Sequence, residues 1–315
     1  MSKRSILVTG GLGYVGRELV AQLLQAGDSD VHVIDNMASG EHRLKPMDTS
    51  RFTLHRIDIR DQGAVADAMS SVAPTTIFHL AAVHYIPACE AAPGDAISIN
   101  VAGTVNLLNA APPGSTFVFA STAAVYAPSA SAHLESEPTG PVDIYGYSKL
   151  HGEHFVRYYA QQAKVRARIV RLFNVVGPGE TNPHLVPAII RQLGEGATRV
   201  QLGNLFPRRD YIDVADAARG FILLAGAEQA DGGVLVSNLG TGVTNSVGEV
   251  VELIGKAANV PLEVVQDASR VRAVDRPMLE ASTQRLRALT AWSPQTTLRA
   301  SMQRAWDARH ADGLA

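Results

Sequence analysis

Cysteine occurs once in the 315 residues, at Cys89, so no disulfide can form within the chain, and a cytoplasmic protein is expected. Charged residues are scarce at 18% and the net charge is −2, which argues against a nucleic-acid or anionic-membrane partner. No stretch approaches the roughly 18 consecutive apolar residues of a membrane span. Near the start only Ile6, Leu7 and Val8 are apolar in a row, too few for the core of a secretory signal. Repeats and low-complexity tracts are lacking. His151 and His154 make an HxxH with no third ligand and no HExxH pattern, so no metal is expected.

What is abundant is apolar material, 46% of the chain, ample for a buried core. Short apolar runs alternate with helical-period segments. SILVTG, DVHVIDN, FTLHRIDIRD, TIFHLAA, TFVFAST and ARIVRLFNVVG read as six strands, and YVGRELVAQLLQAG as a helix capped at Gly27. This alternation predicts an α/β protein with a doubly wound parallel sheet covered on both faces. After Gly177 the pattern changes to Pro- and Gly-rich turns, a helix in VPAIIRQLGEG and the loop QLGNLFPRRD. We expect a nucleotide-binding domain over 1–175, with part of 203–240 returning to it, and a smaller C-terminal substrate lobe over 176–315. AQQAKVRAR reads as a solvated helix end.

TGGLGYVG follows the first strand directly and opens the first helix. Gly10, Gly13 and Gly16 fit GxxGxxG, and Gly11, Gly13 and Gly16 fit GxGxxG. Such glycines let a pyrophosphate approach main-chain N–H groups at a helix N-terminus. Asp35 ends the second strand, where a carboxylate accepts from a ribose 2′-OH and repels a 2′-phosphate; no arginine follows in Asn36, Met37 and Ala38. NAD is therefore expected over NADP. Asp58 and Ile59, after the third strand, stand where an adenine edge would lie, or simply close a turn.

DIYGYSK, residues 143–149, offers two tyrosines for one lysine. If the segment is helical, Tyr145 and Lys149 share a face at i,i+4, whereas Tyr147 lies about 160° from Lys149 and has a packing or cofactor-wall role. A neighbouring ammonium favours the phenolate, so Lys149 is expected to lower the pKa of Tyr145.

TGGLGYVG, Asp35, FHLAA (78–82), NVAGTVNLL (100–108), FVFASTAAVYA (117–127), YGYSK (145–149) and RLFNVVGPG (171–179) occur in one order. With RRDYIDVADAARG (208–220) and RAVDRP (272–277), this resembles the extended short-chain dehydrogenase/reductase family over nearly the whole chain. The nucleotide-sugar epimerase branch, similar to UDP-galactose 4-epimerase, is the nearest resemblance. It implies a Rossmann-type sheet and NAD held by Gly10, Gly13, Tyr14, Val15, Gly16, Asp35, Asn36, Asp58, Ile59, Leu80, Ala81, Ala82, Asn100, Tyr145 and Lys149. It implies catalysis by Tyr145, Lys149 and Thr122; strand alternation turns the neighbouring Ser121 to the other face. For the nucleotide sugar it implies Asn174, Leu185, Gln201, Arg209, Arg272 and Asp275, an arginine fork suiting phosphate oxygens. His84, just after the fourth strand, could reach a sugar or phosphate, and His184 occupies the place of a family asparagine. Cys89 is a small filler and His79 a packed core histidine.

The implied reaction removes a sugar hydroxyl proton through Tyr145 while hydride passes to the nicotinamide. Dehydratases and decarboxylases of the family carry an acid just after the Ser/Thr; here Ala123-Ala124 stands there. That favours C4 epimerisation through a transient 4-keto sugar with NAD retained. An NDP-4-keto-sugar reductase is the alternative, and a non-catalytic NAD-binding regulator the rival of another class. LGNLFPRRD resembles a guanine-side loop of the GDP-mannose dehydratase and reductase branch, so UDP-, GDP- and ADP-sugars all stay open. Helices at 95–111 and 145–163 are expected to form a homodimer bundle.

Overall fold

Along the central strands apolar side chains point alternately to two buried faces, which only a sheet covered on both sides accommodates. In chain order the first half of the computed structural model runs β1 (Arg4–Thr9), α1 (Tyr14–Ala26), β2 (Ser29–Asp35), β3 (Thr53–Arg56), α2 (Gln62–Val72) and β4 (Thr76–His79). Then come α3 (Ile86–Ala91), α4 (Pro93–Ile97), a π-helical turn (Ser98–Ala102), α5 (Gly103–Ala110), β5 (Ser115–Thr122), α6 (Ile144–Gln161) and β6 (Val165–Leu172). The structure describes residues 4–38, 47–228, 233–271 and 275–314.

The second half holds β7 (Asn174–Val176), α7 (Leu185–Gly194), β8 (Arg199–Leu202), β9 (Arg208–Asp213), α8 (Val214–Gly226) and β10 (Val234–Leu239). It continues with β11 (Thr244–Ser246), α9 (Val247–Ala258), β12 (Glu263–Gln266), β13 (Met278–Leu279), α10 (Gln284–Thr290) and α11 (Leu298–Asp307). The main sheet is seven-stranded in the order β3-β2-β1-β4-β5-β6-β10, parallel throughout. Strand order reverses between β1 and β4, the crevice where this architecture binds ligands.

Leu7, Ile34, Ile77, Phe117 and Phe119 face a core with residues of α2, α5 and α6, including Met69, Leu107 and Val156. Val8, Val33, Phe78, Val118 and Val170 face the other way, onto Leu19 and Leu23 of α1, Phe221 and Leu224 of α8 and Trp292. A separate core lies in the smaller lobe, where Ile189 and Ile190 of α7 meet Val250 and Ile254 of α9 and Met302 of α11. There β9 pairs with β7, β11 and β13, and β8 with β12.

Two sequence expectations are corrected. The apolar run ARIVRLFNVVG is two strands in two sheets: Phe173 donates its N–H to Leu239 O at 3.0 Å and β7 then leaves to pair with β9. AQQAKVRAR is only partly a helix end, because Val165 starts β6 and Arg168 is buried, with its Nη2 donating to Ala227 O at 2.8 Å. The third strand is shorter than its apolar pattern, ending at Arg56 and freeing Asp58 and Ile59 for the loop beyond. As read from the sequence, α1 ends at Gly27, whose φ of 72° is left-handed. No helix among the described residues is long and apolar enough to cross a membrane.

Candidate active site

The glycine loop is built by close approach. A Cβ at Gly16 would lie 2.1 Å from Gly10 O, and one at Gly10, where φ is +69°, only 2.7 Å from Ala81 N. Only glycine lets α1 start this near β1 and β4. The α1 N-cap is Gly13, which supplies no side-chain cap. The first-turn residues Tyr14, Val15 and Gly16 line a cavity instead, so main-chain donors and the positive helix end face it. Asp35 is fastened at the rim, accepting from Leu12 N at 3.0 Å and Met37 N at 2.9 Å. Beside it Asn36 Nδ2 donates to Asp58 Oδ2 at 3.2 Å. The Arg60 fork, at 3.0 and 2.7 Å, holds the Asp58 carboxyl well below the usual range. The cradle, open where any Cβ would fill it and closed by a ribose-side carboxylate, fits a dinucleotide.

The catalytic segment is fixed by its helix start. Asp143 caps α6, its Oδ1 accepting from Gly146 N at 2.7 Å. A Cβ at Gly146 would stand 2.5 Å from Ala124 O, and one at Gly152 2.5 Å from the Phe119 ring, so α6 lies directly on β5 and the turn after it. This brings the Tyr145 phenol beside the Thr122 side chain, whose influence lowers the phenol pKa. Lys149 is 2% exposed, its Nζ 4.9 Å from the Phe119 ring centre, and burial pushes its pKa down to about 7. Burial likewise pushes the Tyr145 phenol up, and the Thr122 side chain only partly reverses this. The expectation of a lowered phenol pKa therefore does not hold for the protein's own groups, because desolvation outweighs them. Tyr147 is 50% exposed and is not a cavity wall.

Ser121 points to the opposite face, as alternation requires, and donates to Glu153 Oε1 at 2.6 Å. Glu153 in turn accepts the Arg171 fork at 2.9 and 2.8 Å. Burial works against the Arg171 charge, but the Glu153 carboxylate holds its pKa above the ordinary value. Asn100 is 1% exposed and does not line the cavity. Its amide is engaged on Val83 N and O, at 2.8 and 2.9 Å, and on Ser148 Oγ at 2.9 Å, bracing the β4 exit against α6. His79 is a core histidine held between Thr9 Oγ1 and Thr104 Oγ1 at 2.7 and 2.8 Å. Cys89 is fully buried, its thiol pushed up to about 11 mainly by burial.

One cavity of about 1010 Å³ joins these parts. Its walls include Gly10, Gly13, Asp35, Asn36, Asp58, Ile59, Leu80, Ala81 and Ala82, with Thr122, Tyr145 and Lys149. On the smaller lobe's side stand Asn174, Leu185, Gln201, Arg209 and Asp275, together with His84 and His184. Arg209 pairs with Asp275 and donates to Arg276 O at 2.7 Å, while Asn204 Nδ2 donates to the other Asp275 oxygen at 3.1 Å. Arg272 lies outside the described residues.

Among the wall residues that escaped the sequence reading are two buried charged ones, Arg276 and Glu180. Arg276, 7% exposed, reaches Asp143 Oδ2 at 3.2 Å and Ala124 O at 2.9 Å, tying the lobe that carries Asp275 to the start of α6. Its position next to Asp275 in RAVDRP was the available signal. Glu180, 7% exposed, lies beside His84 and His184. Burial raises the Glu180 carboxyl, the contact with His84 and the charges of both histidines lower it, and the balance falls below the ordinary value. Its signal was the spacing of four to His184.

Comparison with known proteins agrees with this geometry. The chain is 29% identical to the GDP-6-deoxy-D-mannose reductase of Pseudomonas aeruginosa, covering 95% of this chain and 94% of that protein. It is 31% identical to the UDP-glucose 4-epimerase of Corynebacterium glutamicum, covering 96% and 94%. Among solved structures, the Thermus thermophilus UDP-glucose 4-epimerase complex with NAD superposes with a TM-score of 0.85, at 28% identity over 97% of this chain and 98% of that one. The NAD dependent epimerase/dehydratase family matches residues 6–240, which takes in the glycine loop, Thr122, Tyr145, Lys149 and Arg209, and this chain belongs to it.

Proposed function

We propose that this protein is an NAD-dependent nucleotide-sugar epimerase that inverts C4 and retains its coenzyme. The observation that carries the reading is the sharing of one cavity by the glycine cradle, the Thr122–Tyr145–Lys149 group and the Arg209–Asp275 pair. Beside Thr122, Ala123 and Ala124 offer no acid or base to draw a proton from a sugar carbon. NAD, when bound, accepts hydrogen from the sugar carbon and returns it to the opposite face.

The protein's part is proton management and orientation. Thr122 and Tyr145 receive the C4 hydroxyl between them, and the phenol exchanges the proton. Having taken that proton, the phenol gives it back to the carbonyl oxygen in the return half of the cycle, so no net proton is gained or lost. Lys149 holds the nicotinamide ribose and, in its charged form, favours proton removal by the phenol. Arg209, with Arg272, takes the diphosphate, while Asp275 and Asn204 orient the nucleoside. His84 and His184 face the same substrate.

UDP-sugars are the first choice of substrate, in line with the relatives named UDP-glucose 4-epimerase. A GDP-linked 4-keto-sugar reduction is the second reading, favoured by the LGNLFPRRD loop and the likeness to GDP-6-deoxy-D-mannose reductase. Incubating the protein with UDP-, GDP-, ADP- and dTDP-sugars in deuterated water, without added cofactor, separates the two. Epimerisation gives the C4 epimer by NMR with no deuterium on carbon, whereas stoichiometric consumption of added NADH on a 4-keto sugar would establish the reductase instead.

We assign residues 4–172 with 214–239 and 284–292 to the coenzyme lobe, α10 and Trp292 packing in the main sheet's core, and the other described residues to the substrate lobe. A homodimer through α4 and α6 is part of the proposal. Ile97, Tyr147, Phe155 and Tyr158 are 52%, 50%, 38% and 56% exposed on those two helices, an apolar surface suited to a second copy. Light scattering should return twice the chain mass at micromolar concentration, and a monomer would contradict it.

A further inference from the structure

We propose that His84, Glu180 and His184 form a binding site for a divalent cation of the zinc class in the cavity wall. The three side chains come from two loops: His84 from the turn after β4, Glu180 and His184 from the segment entering α7. One ligand atom of each lies within 4.8 Å of the other two. Ligand atoms at about 2.0–2.2 Å from a tetrahedral Zn²⁺ stand about 3.3–3.6 Å apart, so closure needs side-chain movement of about 1 Å.

The detailed contacts suit such a site. His84 Nε2 and Glu180 Oε2 are 3.8 Å apart, too long for a hydrogen bond and close to a coordination edge. The other carboxylate oxygen, Oε1, accepts from Asn182 N at 2.8 Å, which fixes the group and leaves Oε2 toward His84. The His84 side chain is 44% exposed, and turning it onto a metal would displace the Asn182 amide that lies 3.1 Å from its Nε2.

The backbone beneath the ligands is held. Val83 is clamped at both its N–H and carbonyl by Asn100. His184 donates its N–H to Asn182 O at 2.7 Å and accepts from Ala188 N at 2.9 Å, and its ring packs edge-on to Tyr85 at 5.3 Å. Such support is what keeps a ligand set in place.

Two imidazoles and one carboxylate select Zn²⁺, Co²⁺ or Ni²⁺ over Mg²⁺ and Ca²⁺, which prefer oxygen ligands throughout. The positive end of α7 opposes a cation, and the Glu180 charge offsets it. Three protein ligands leave one position open, and all three residues line the cavity, so that position faces its contents. The site stands on this geometry and not on the epimerase reading.

The test uses the full-length, tag-free protein stripped with a chelator, then titrated with Zn²⁺ against a chromophoric chelator and with Co²⁺ by visible absorption. One Zn²⁺ per chain is expected, with Co²⁺ d–d bands of low-coordinate intensity. His84→Ala and Glu180→Gln should each weaken binding by more than about 100-fold, beyond the 10–100-fold usual for outer-shell partners. His151→Ala should leave it unchanged. Melting midpoints without metal report folding, and His84→Ala, at an exposed position, keeps the test decisive if Glu180→Gln does not fold. Failure to bind one equivalent at 100-fold lower affinity than the free chelator or better, binding that survives His84→Ala, or binding lost in His151→Ala would each overturn the site.

Discussion

Replacing Lys149 with methionine should make the protein more stable and inactive at once. The lysine is 2% exposed and its pKa falls from 10.5 to about 7 on burial. At about 1.36 kcal/mol per pH unit, holding this ammonium inside costs about 4–5 kcal/mol at pH 7 and below. The sign follows from proton counts. Between about pH 7 and 10.5 the unfolded chain binds the proton and the folded chain does not, so stability from this group rises with pH across that window. Methionine keeps an unbranched stem against Phe119 without the charge. Urea denaturation of nucleotide-stripped protein at pH 7.0 and pH 9.5 reads the effect. Lys149→Met should raise the midpoint most at pH 7.0, and the wild type should gain on the variant by pH 9.5. A variant no more stable than wild type at pH 7.0, beside a wild type flat between the two pH values, would show that Lys149 is not held against its charge.

Tyr145→Phe should lower turnover by about 10²–10⁴-fold with nucleotide-sugar binding retained, checked by product NMR and calorimetry. Glu153→Gln breaks the buried pair with Arg171 and should cost about 3–5 kcal/mol, read as a lower denaturation midpoint. Gly16→Ala sets a Cβ 2.1 Å from Gly10 O, so coenzyme should no longer copurify or bind, and fluorescence titration with NADH tests this.

Local spacing made much of this legible. Gly10, Gly13, Gly16 and Asp35 belong to one strand–turn–helix–strand unit, and Tyr145 and Lys149 to one helix, so their relation is set by local spacing. The break at Phe173 was hidden because an apolar run looks the same whether it stays in one sheet or changes sheets. The partners of Asn100 were not legible because residue type does not say which neighbours an amide meets; Val83 and Ser148 took its donors and acceptor. Likewise Arg276 at Ala124 and Glu180 at His84 are contacts across 152 and 96 positions, which no periodicity encodes. The phenol's raised pKa was missed because counting charges along a helix leaves out desolvation.

The chain passes between the two lobes five times: at Phe173 after β6, where β9 runs into α8 at Asp213, along 240–243 after β10, between β13 and α10, whose Leu286 packs with Trp292 in the main sheet's core, and again before α11. The second passage is pinned by Asp213, whose oxygens take Ser301 Oγ at 2.6 Å and Arg304 at 3.0 Å from α11. Besides these crossings, Arg276 ties the smaller lobe to Asp143 Oδ2 at 3.2 Å and Ala124 O at 2.9 Å, so the lobes are joined at several separate points. Two short wall segments, the turn after β4 and the stretch entering α7, line the cavity with His84, Tyr85, Glu180 and His184, and substrate exchange is expected to pass there. A crosslink between the lobes far from those segments should leave turnover intact, and loss of turnover in the crosslinked protein would show instead that the lobes must move against each other.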